Sequence, residues 1–290
     1  IRGFDADHGT DFSINVDGVP VNLPTHGHGQ GYSDTNFIIP ELIERIEVYK
    51  GPYFAEWGDF ATAGAANLVT RRGFAENSVT LSGGLFKTLR AVGIAAPTFS
   101  GPTASRLRPV LAVEYQRTDG PFLNPENFNR FNVFGKLSYD VAPHNTLSLT
   151  VTAYSGSWRA SGQIPSREVD AGRLDFFGNV DPTEGGTSSR YNVSLSYQLR
   201  PDARTELSAL AYFTRYDFKL HSNFTLFSRD PINGDQIEQG DARTVLGARM
   251  SFRRRWTWGW FKLDSSIGAS LRHDSIHNTL FHDRARVRLN

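Results

Sequence analysis

Cysteine is absent from all 290 residues, and methionine occurs once. Without Cys there is no disulfide scaffold, no thiolate-bound zinc or iron–sulfur cluster and no cysteine nucleophile. Long apolar runs are lacking as well: charged, Gly or Pro residues interrupt every stretch before the ~18 to 20 residues that a membrane-spanning helix needs. That excludes helical membrane proteins but not membrane β-barrels, whose strands carry only an alternating pattern. Lysine is scarce, 5 of the 31 basic residues, so that 26 are Arg. The signatures of catalysis are also wanting. There is no Gly-x-Ser-x-Gly elbow, no His-Glu-x-x-His and no phosphate-binding Gly-rich loop before a helix, and carboxylate pairs are scattered over loops. No enzymatic activity and no cofactor are expected. The chain opens Ile1-Arg2-Gly3-Phe4, without initiator Met or signal segment, and is expected to be cut from a longer protein.

What is present is a foldable composition, 39% hydrophobic and 12% aromatic, with a nearly balanced charge of +1. The balance conceals an asymmetry. Residues 1–73 carry 5 basic and 10 acidic groups, net −5, and residues 74–290 carry net +6, so two parts of opposite sign are expected.

From residue 74 onward the dominant signal is period-two alternation, which marks strands with two unlike faces. Tyr191, Val193, Leu195, Tyr197 and Leu199 oppose Asn192, Ser194, Ser196, Gln198 and Arg200. The pattern recurs over 131–139, with Phe134 as the exception on the polar side, over 147–153 and over 261–271. Weaker versions cover 78–87, 89–99, 106–117, 204–219 and 242–255, which makes nine strands. Many exceed the ~5 to 6 residues usual in soluble sheets and suit a tilted membrane strand of ~9 to 11. Connections are expected to alternate strictly. The short ones lie at 100–105, 141–145, 201–203 and 257–259, and the long ones at 118–127, 159–188 and 220–241. Short turns on one rim and long loops on the other characterise an outer-membrane barrel. Trp256, Trp258 and Trp260, with Tyr154, Trp158 and Tyr212 to Tyr216, suit interfacial girdles. A soluble β-sandwich or propeller shares the alternation but not the strand length or the loop asymmetry. Nine is an odd count, and residues 273–290 read as a further long loop, so later strands are expected beyond the chain.

Residues 1–73 read as a compact α+β unit. Phe12 to Val16 is a short strand, Asp17-Gly18 a two-residue turn that tolerates positive φ, and Val19 to Asn22 the return. Pro40 suits a first helical turn, Arg45 to Tyr49 a strand, and Gly51-Pro52 its end, before a Gly- and Ala-rich stretch that includes Gly58.

The runs IRGF at 1–4, VDGVPVN at 16–22 and above all IERIEVYKGPYFAEWGDFATAGAANLVTRRG at 43–73 resemble the second half of the plug domain of TonB-dependent outer-membrane receptors. Lys50 replaces the family's usual Arg before Gly-Pro, and Trp57 its common Tyr. The resemblance implies a mainly β fold, a 22-stranded transmembrane antiparallel barrel around an α+β plug. Residues 1–73 would be the C-terminal part of the plug and 74–290 the first part of the barrel. It assigns Arg2, Gly3, Asp17, Gly18, Glu47, Lys50, Gly51, Pro52 and Gly58 to the plug's structural motif. Partners of Arg2 and Lys50 are expected on barrel strands beyond this chain. It also implies an extracellular ligand site at the plug apices, carried onto Asp7, His8, the Thr25 to Gln30 loop with His26, His28 and Gln30, and Glu56-Trp57. His26 and His28 are a possible metal pair. Without a third placed ligand, however, the reading as solvated loop residues flanked by Gly for turn geometry is preferred, and no firm metal site is expected.

The function expected is that of a monomeric receptor in the outer membrane of a Gram-negative cell. It would import a scarce ligand, most simply a ferric siderophore or other metal chelate, when the TonB-ExbB-ExbD inner-membrane complex remodels the plug. The segment that contacts that complex is expected outside this chain. Outer-membrane lipid and lipopolysaccharide are the other expected partners. Arg253, Arg254 and Arg255 beside Trp256 are assigned to lipid phosphates at the rim rather than to nucleic acid. A soluble or surface-exposed β-rich binding protein or adhesin is the alternative.

Overall fold

The computed structural model describes residues 9–101 and 104–289. Arg2, Gly3, Asp7 and His8 lie outside the described residues. The N-terminal unit is a four-stranded sheet made of β1 (Phe12–Val16), β2 (Val19–Pro20), β3 (Ile43–Lys50) and β4 (Gly64–Thr70), ordered β2-β1-β4-β3. β1 and β2 join antiparallel through Asp17 and Gly18, both at positive φ, and β1 runs parallel to β4. The returning strand stops at Pro20, which has no backbone donor. Asn22 continues its work with a side chain, whose Oδ1 accepts the Ile14 N–H at 2.6 Å. Pro40 opens a single 3-10 turn, Pro40–Leu42, directly before β3.

The remainder is a ten-stranded antiparallel sheet in chain order: β5 (Ser78–Gly84), β6 (Thr88–Ala95), β7 (Leu107–Thr118), β8 (Phe128–Ala142), β9 (Asn145–Arg159), β10 (Gly185–Asp202), β11 (Thr205–Ser222), β12 (Ile237–Trp258), β13 (Phe261–Arg284) and β14 (Val287–Arg288). The first nine are the strands expected from alternation. Their faces are inverted relative to a soluble sheet: Tyr191, Val193 and Leu195 are 43–49% exposed, whereas Asn192 and Ser194 are buried against the plug. The exposed apolar face runs through Leu111 and Val113 on β7, Val133 and Leu137 on β8, Leu149 and Val151 on β9 and Phe213 on β11. A sheet in water buries its apolar side; here that side is the exposed one. Among the described residues no helix is long and apolar enough to cross a membrane.

The strict alternation of connections needs correction. It holds from β7 to β13, where the turns Pro143–His144, Ala203–Arg204 and Gly259–Trp260 alternate with loops 119–127, 160–184 and 223–236. It fails at both ends. On the long-loop rim β5 and β6 are joined only by Leu85–Lys87, while 96–106 on the other rim is the longer connection. Residues 273–284 are not a loop but the end of β13, paired to β12 as far as His282 opposite Ile237, and a tight turn at Ala285 and Arg286 follows. The reason is chemical: above Leu271 both faces of β13 are mostly polar, with Ile276, Leu280 and Phe281 out of the apolar period, so pairing continues where hydrophobic alternation stops. Loop 160–184 also carries a short helix, α1 (Ser166–Asp170).

Phe134, the exception in the pattern, is explained by the plug. It is buried with Val92, Ile94, Val110 and Ala112 of the wall against Ile39 and Leu42. It is one of three apolar clusters that join wall to plug among the described residues, and it seats the turn that opens β3.

Candidate functional site

The plug loop between Leu23 and Tyr32 is closed by a backbone bridge between those two residues. Within it His26 is buried rather than solvated: its ring stacks on Tyr32 at 4.2 Å and packs 4.8 Å from Phe218 of β11. Its Nδ1 accepts the His28 N–H at 3.1 Å, which requires the other ring nitrogen to carry the proton; Nε2 then donates to the Tyr216 hydroxyl at 3.3 Å. Burial holds its pKa down at about 4, outweighing the attraction of Asp241. Both ring nitrogens are engaged, so His26 offers no lone pair to a metal. His28 is half-buried, with Nδ1 3.4 Å from the Gln239 Oε1, and Gln30 is exposed at the tip.

β12 clamps this loop. Gln239 Nε2 donates to the Gly27 carbonyl at 2.9 Å, and the Gly27 N–H donates to Asp241 at 3.3 Å. A Cβ on residue 27 would stand 2.8 Å from the Gly240 carbonyl oxygen, so only glycine permits the approach. Arg243, fully buried, donates to Asp241 through Nε at 2.7 Å and reaches the Thr25 carbonyl.

The same chemistry recurs lower on the wall. Inward-facing arginines donate to plug carbonyls, Arg272 to Asn22 at 3.0 Å and Arg249 to Glu56 at 3.2 Å. The planar, permanently charged guanidinium suits such contacts better than lysine, in keeping with the chain's Arg bias. Carboxylates of the acidic plug meet wall cations. Glu41 takes a forked pair from Arg90 at 2.6 and 2.8 Å, which holds its carboxyl below the usual range. Arg90 also bonds the fully buried Glu114, itself shared with Arg130. Asp17 accepts from Lys136 and from the Thr70 N–H. In these contacts the plug supplies the acid and the wall the cation. None of these wall cations was singled out by sequence; each is one charged residue in the polar phase of a strand, and nothing local distinguishes a residue that meets the plug from one that meets water.

The other motif residues are structural neighbours. Glu47 and the Gly18 N–H share Asn67, Gly51 donates to the Ala63 carbonyl, and Gly51 and Gly58 have positive φ. Lys50 and Pro52 are exposed. Glu56 and Trp57 do not join the His26 loop. They sit in a 3-10 turn against the short-turn end of β12, with Arg249 over the Trp57 ring and Arg253 3.7 Å from Glu56. The run Arg253 to Arg255 cannot share one face of a strand. Arg254 stacks on Trp256 at 4.5 Å on the outer side, Arg255 pairs with Asp264, and Arg253 turns inward to Glu56.

At the long-loop rim the loops are tied together. Asp181 accepts from Asn223 and Gln236, and Arg286 donates to the Thr183 and Glu184 carbonyls. Burial, and then Asp181, push the Glu184 carboxyl up to about 7. Phe176, Phe224 and Ile232 on these loops are 58–78% exposed. Among the described residues His221, Glu238 and Asp283 are the one His/acid group close enough to hold an ion. Within it His221 Nδ1 lies 2.8 Å from Asp283 and Glu238 pairs with Arg288 and Lys219, while the Asp283 Oδ1 is buried without a hydrogen-bond partner.

Residues 1–65 match the family model described as TonB-dependent Receptor Plug Domain. The ferrienterobactin receptor of Escherichia coli (strain K12) is 38% identical over 69 residues, 22% of this chain and 9% of that protein. TonB-dependent heme receptor A of Haemophilus ducreyi (strain 35000HP) is 23% identical over 257 residues, 82% of this chain and 32% of that protein. Among solved structures, the ferric citrate transporter FecA in its unliganded form superposes with a TM-score of 0.79 at 15% identity, over 98% of this chain and 42% of that one. At that identity the likeness is one of fold. The chain spans less than half the length of these proteins.

Proposed function

We propose that the chain, whose residues 1–65 match the TonB-dependent receptor plug model, acts as an outer-membrane receptor of that family that binds a ferric siderophore or other metal chelate and admits it to the periplasm. In this reading residues 1–73 are plug and 74–290 barrel wall, the long-loop rim faces the outside, and the TonB-ExbB-ExbD complex supplies the energy. The observation that carries it is the pairing of an apolar outer face with a polar inner face that grips an acidic plug through Arg90, Lys136 and Arg243. A soluble binding protein has no use for that inversion.

The ligand would meet the loops first. Exposed Phe176 and Phe224 suit a chelate with aromatic or apolar surface, and the His26 loop beneath them is gripped by the wall and so placed to report binding to the plug. A deletion strain grown on iron, copper, cobalamin and carbohydrate sources would test this. Loss of growth on ferric chelates alone is expected; loss confined to sugars would overturn the chelate assignment. His26→Ala with His28→Ala should weaken ligand binding, and unchanged affinity would reduce the pair to local structure.

A further inference from the structure

The ends of β11, β12 and β13 at the long-loop rim hold a buried polar cluster on the outward face of the wall. Exposed Phe213 sets the outward phase of β11, which His221 shares. Glu238 of β12 lies opposite His221, Phe281 of β13 lies opposite Glu238, and Asp283 two residues on shares that face. The level is eight residues along β12 from the exposed Leu246, ~26 Å of strand beyond it. Polar side chains there would ordinarily meet water, yet His221, Glu238 and Asp283 are only 6%, 3% and 0% exposed. Arg288, opposite Asp283 on β14, covers them as it crosses the Phe281 ring at 3.9 Å to reach Glu238.

Burial makes the partner of each polar atom matter. Arg288 donates to Glu238 Oε1 at 2.5 Å and Lys219 lies 3.5 Å from the same oxygen, so Oε2 is left facing His221 Nε2 at 3.9 Å. That is too far for a hydrogen bond. An ionised Asp283 can only accept, so its Oδ2, 2.8 Å from His221 Nδ1, fixes the ring proton there and leaves Nε2 with a lone pair. Two acceptors thus face each other. Asp283 has no arginine or lysine partner among the described residues, and its Oδ1 is buried without a hydrogen bond. Around His221 the cluster is therefore short of positive charge. A metal bound at about 2.0 to 2.2 Å separates two ligands by roughly 3.4 Å in tetrahedral geometry and by about 4.2 Å at most, so the 3.9 Å gap has the width of a metal site.

We infer that His221 Nε2 and Glu238 Oε2 bind a divalent transition-metal ion, zinc by the ligand set, with water completing its shell. Asp283 holds the ring through Nδ1, the arrangement that orients and strengthens an imidazole ligand, and all three residues offer ligand atoms within 4.8 Å of one another. An imidazole with a carboxylate and water suits zinc, whereas calcium takes about 6 to 8 oxygens and magnesium keeps most of its water. The ion ties β11 to β12. It also firms the root of loop 223–236, because the Asp283 N–H donates to the Gln236 carbonyl at 2.8 Å. The site is separate from the His26 loop and does not depend on which ligand is transported.

The full-length receptor without an affinity tag, stripped with EDTA and checked for folding by heat-modifiable mobility, can be titrated with zinc alone by calorimetry. His221→Gln should bind one zinc fewer than the wild type, and Asp283→Asn, which keeps the size of the side chain, should weaken that zinc about 10- to 100-fold. His26→Ala with His28→Ala should leave it in place. Zinc should also slow amide hydrogen exchange over residues 223–236 of the wild type. Equal zinc counts in the wild type and folded His221→Gln, wild-type affinity in Asp283→Asn, or exchange over 223–236 that zinc leaves unchanged would overturn the site. The last needs no variant to fold. Growth on ferric chelates tests the receptor reading separately, so either reading can fail while the other stands.

Discussion

Arg243 occupies the position on which the plug's upper loop depends: buried in β12, bonded to Asp241 and in contact with the Thr25 carbonyl. Arg243→Gln leaves Asp241 buried without its cation, a change that costs about 3 to 5 kcal/mol when one partner of a buried pair is removed. Faster amide hydrogen exchange over residues 25–30 is expected, and wild-type protection would refute this role. His26 gives the same loop a pH dependence. Its folded pKa of about 4 lies below the ordinary 6.5, so an undocked loop binds a proton that the docked loop refuses. Docking should therefore be at full strength above pH 6.5 and weaken as pH falls toward 4, and His26→Phe should flatten the profile. Exchange of the His28 amide, whose acceptor is His26 Nδ1, measures it directly. The loop itself was legible in the sequence from its two histidines among glycines, but its chemistry was not. Solvated histidines were the simpler reading because the rings that bury His26, Tyr216 and Phe218, lie some 190 residues away, on a strand whose aromatic run from Tyr212 to Phe218 carries no sign of which plug loop it meets.

At the level of strands, alternation identified the wall because lipid and plug impose opposite demands on successive residues. Leu149 of β9 faces outward in the apolar belt. Leu149→Arg should cost about 2 to 4 kcal/mol near the midplane, whereas Ser275→Arg, outward on β13 above the belt, should cost about 0 to 1. Urea titration of the receptor folded into bilayers would compare them, and equal costs would contradict the assigned depth. Strand ends were less legible, since pairing in β13 outlasts the apolar period by a dozen residues, from Leu271 to Arg284, and backbone hydrogen bonds leave no mark on composition. The loop clasp carries its own titration. Glu184, with a folded pKa of about 7 raised above its ordinary 4.5, favours the folded clasp in its protonated form. The clasp should be firmest below pH 4.5 and loosen as pH rises through 7, and Glu184→Gln should abolish that dependence in the exchange rates of residues 223–236.

For the molecule as a whole, the near-zero net charge resolves into an acidic plug and a basic wall whose opposite signs meet at Glu41–Arg90 and Asp17–Lys136. The opposite signs themselves are legible because charge segregates along the chain. Which ligand the receptor takes was not, because exposed Phe176 and Phe224 specify an apolar contact surface rather than one chelate. A receptor that recovers from membranes without detergent as a soluble monomer would contradict the inverted wall. The central claim is energised import past a plug held by the wall, and uptake of a radiolabelled ferric chelate by cells that express the full-length receptor, with and without a protonophore, tests it most directly. Accumulation should require both the gene and the proton-motive force, while surface binding persists when the force is collapsed. Import that continues undiminished in protonophore-treated cells, or in cells without the gene, would contradict it.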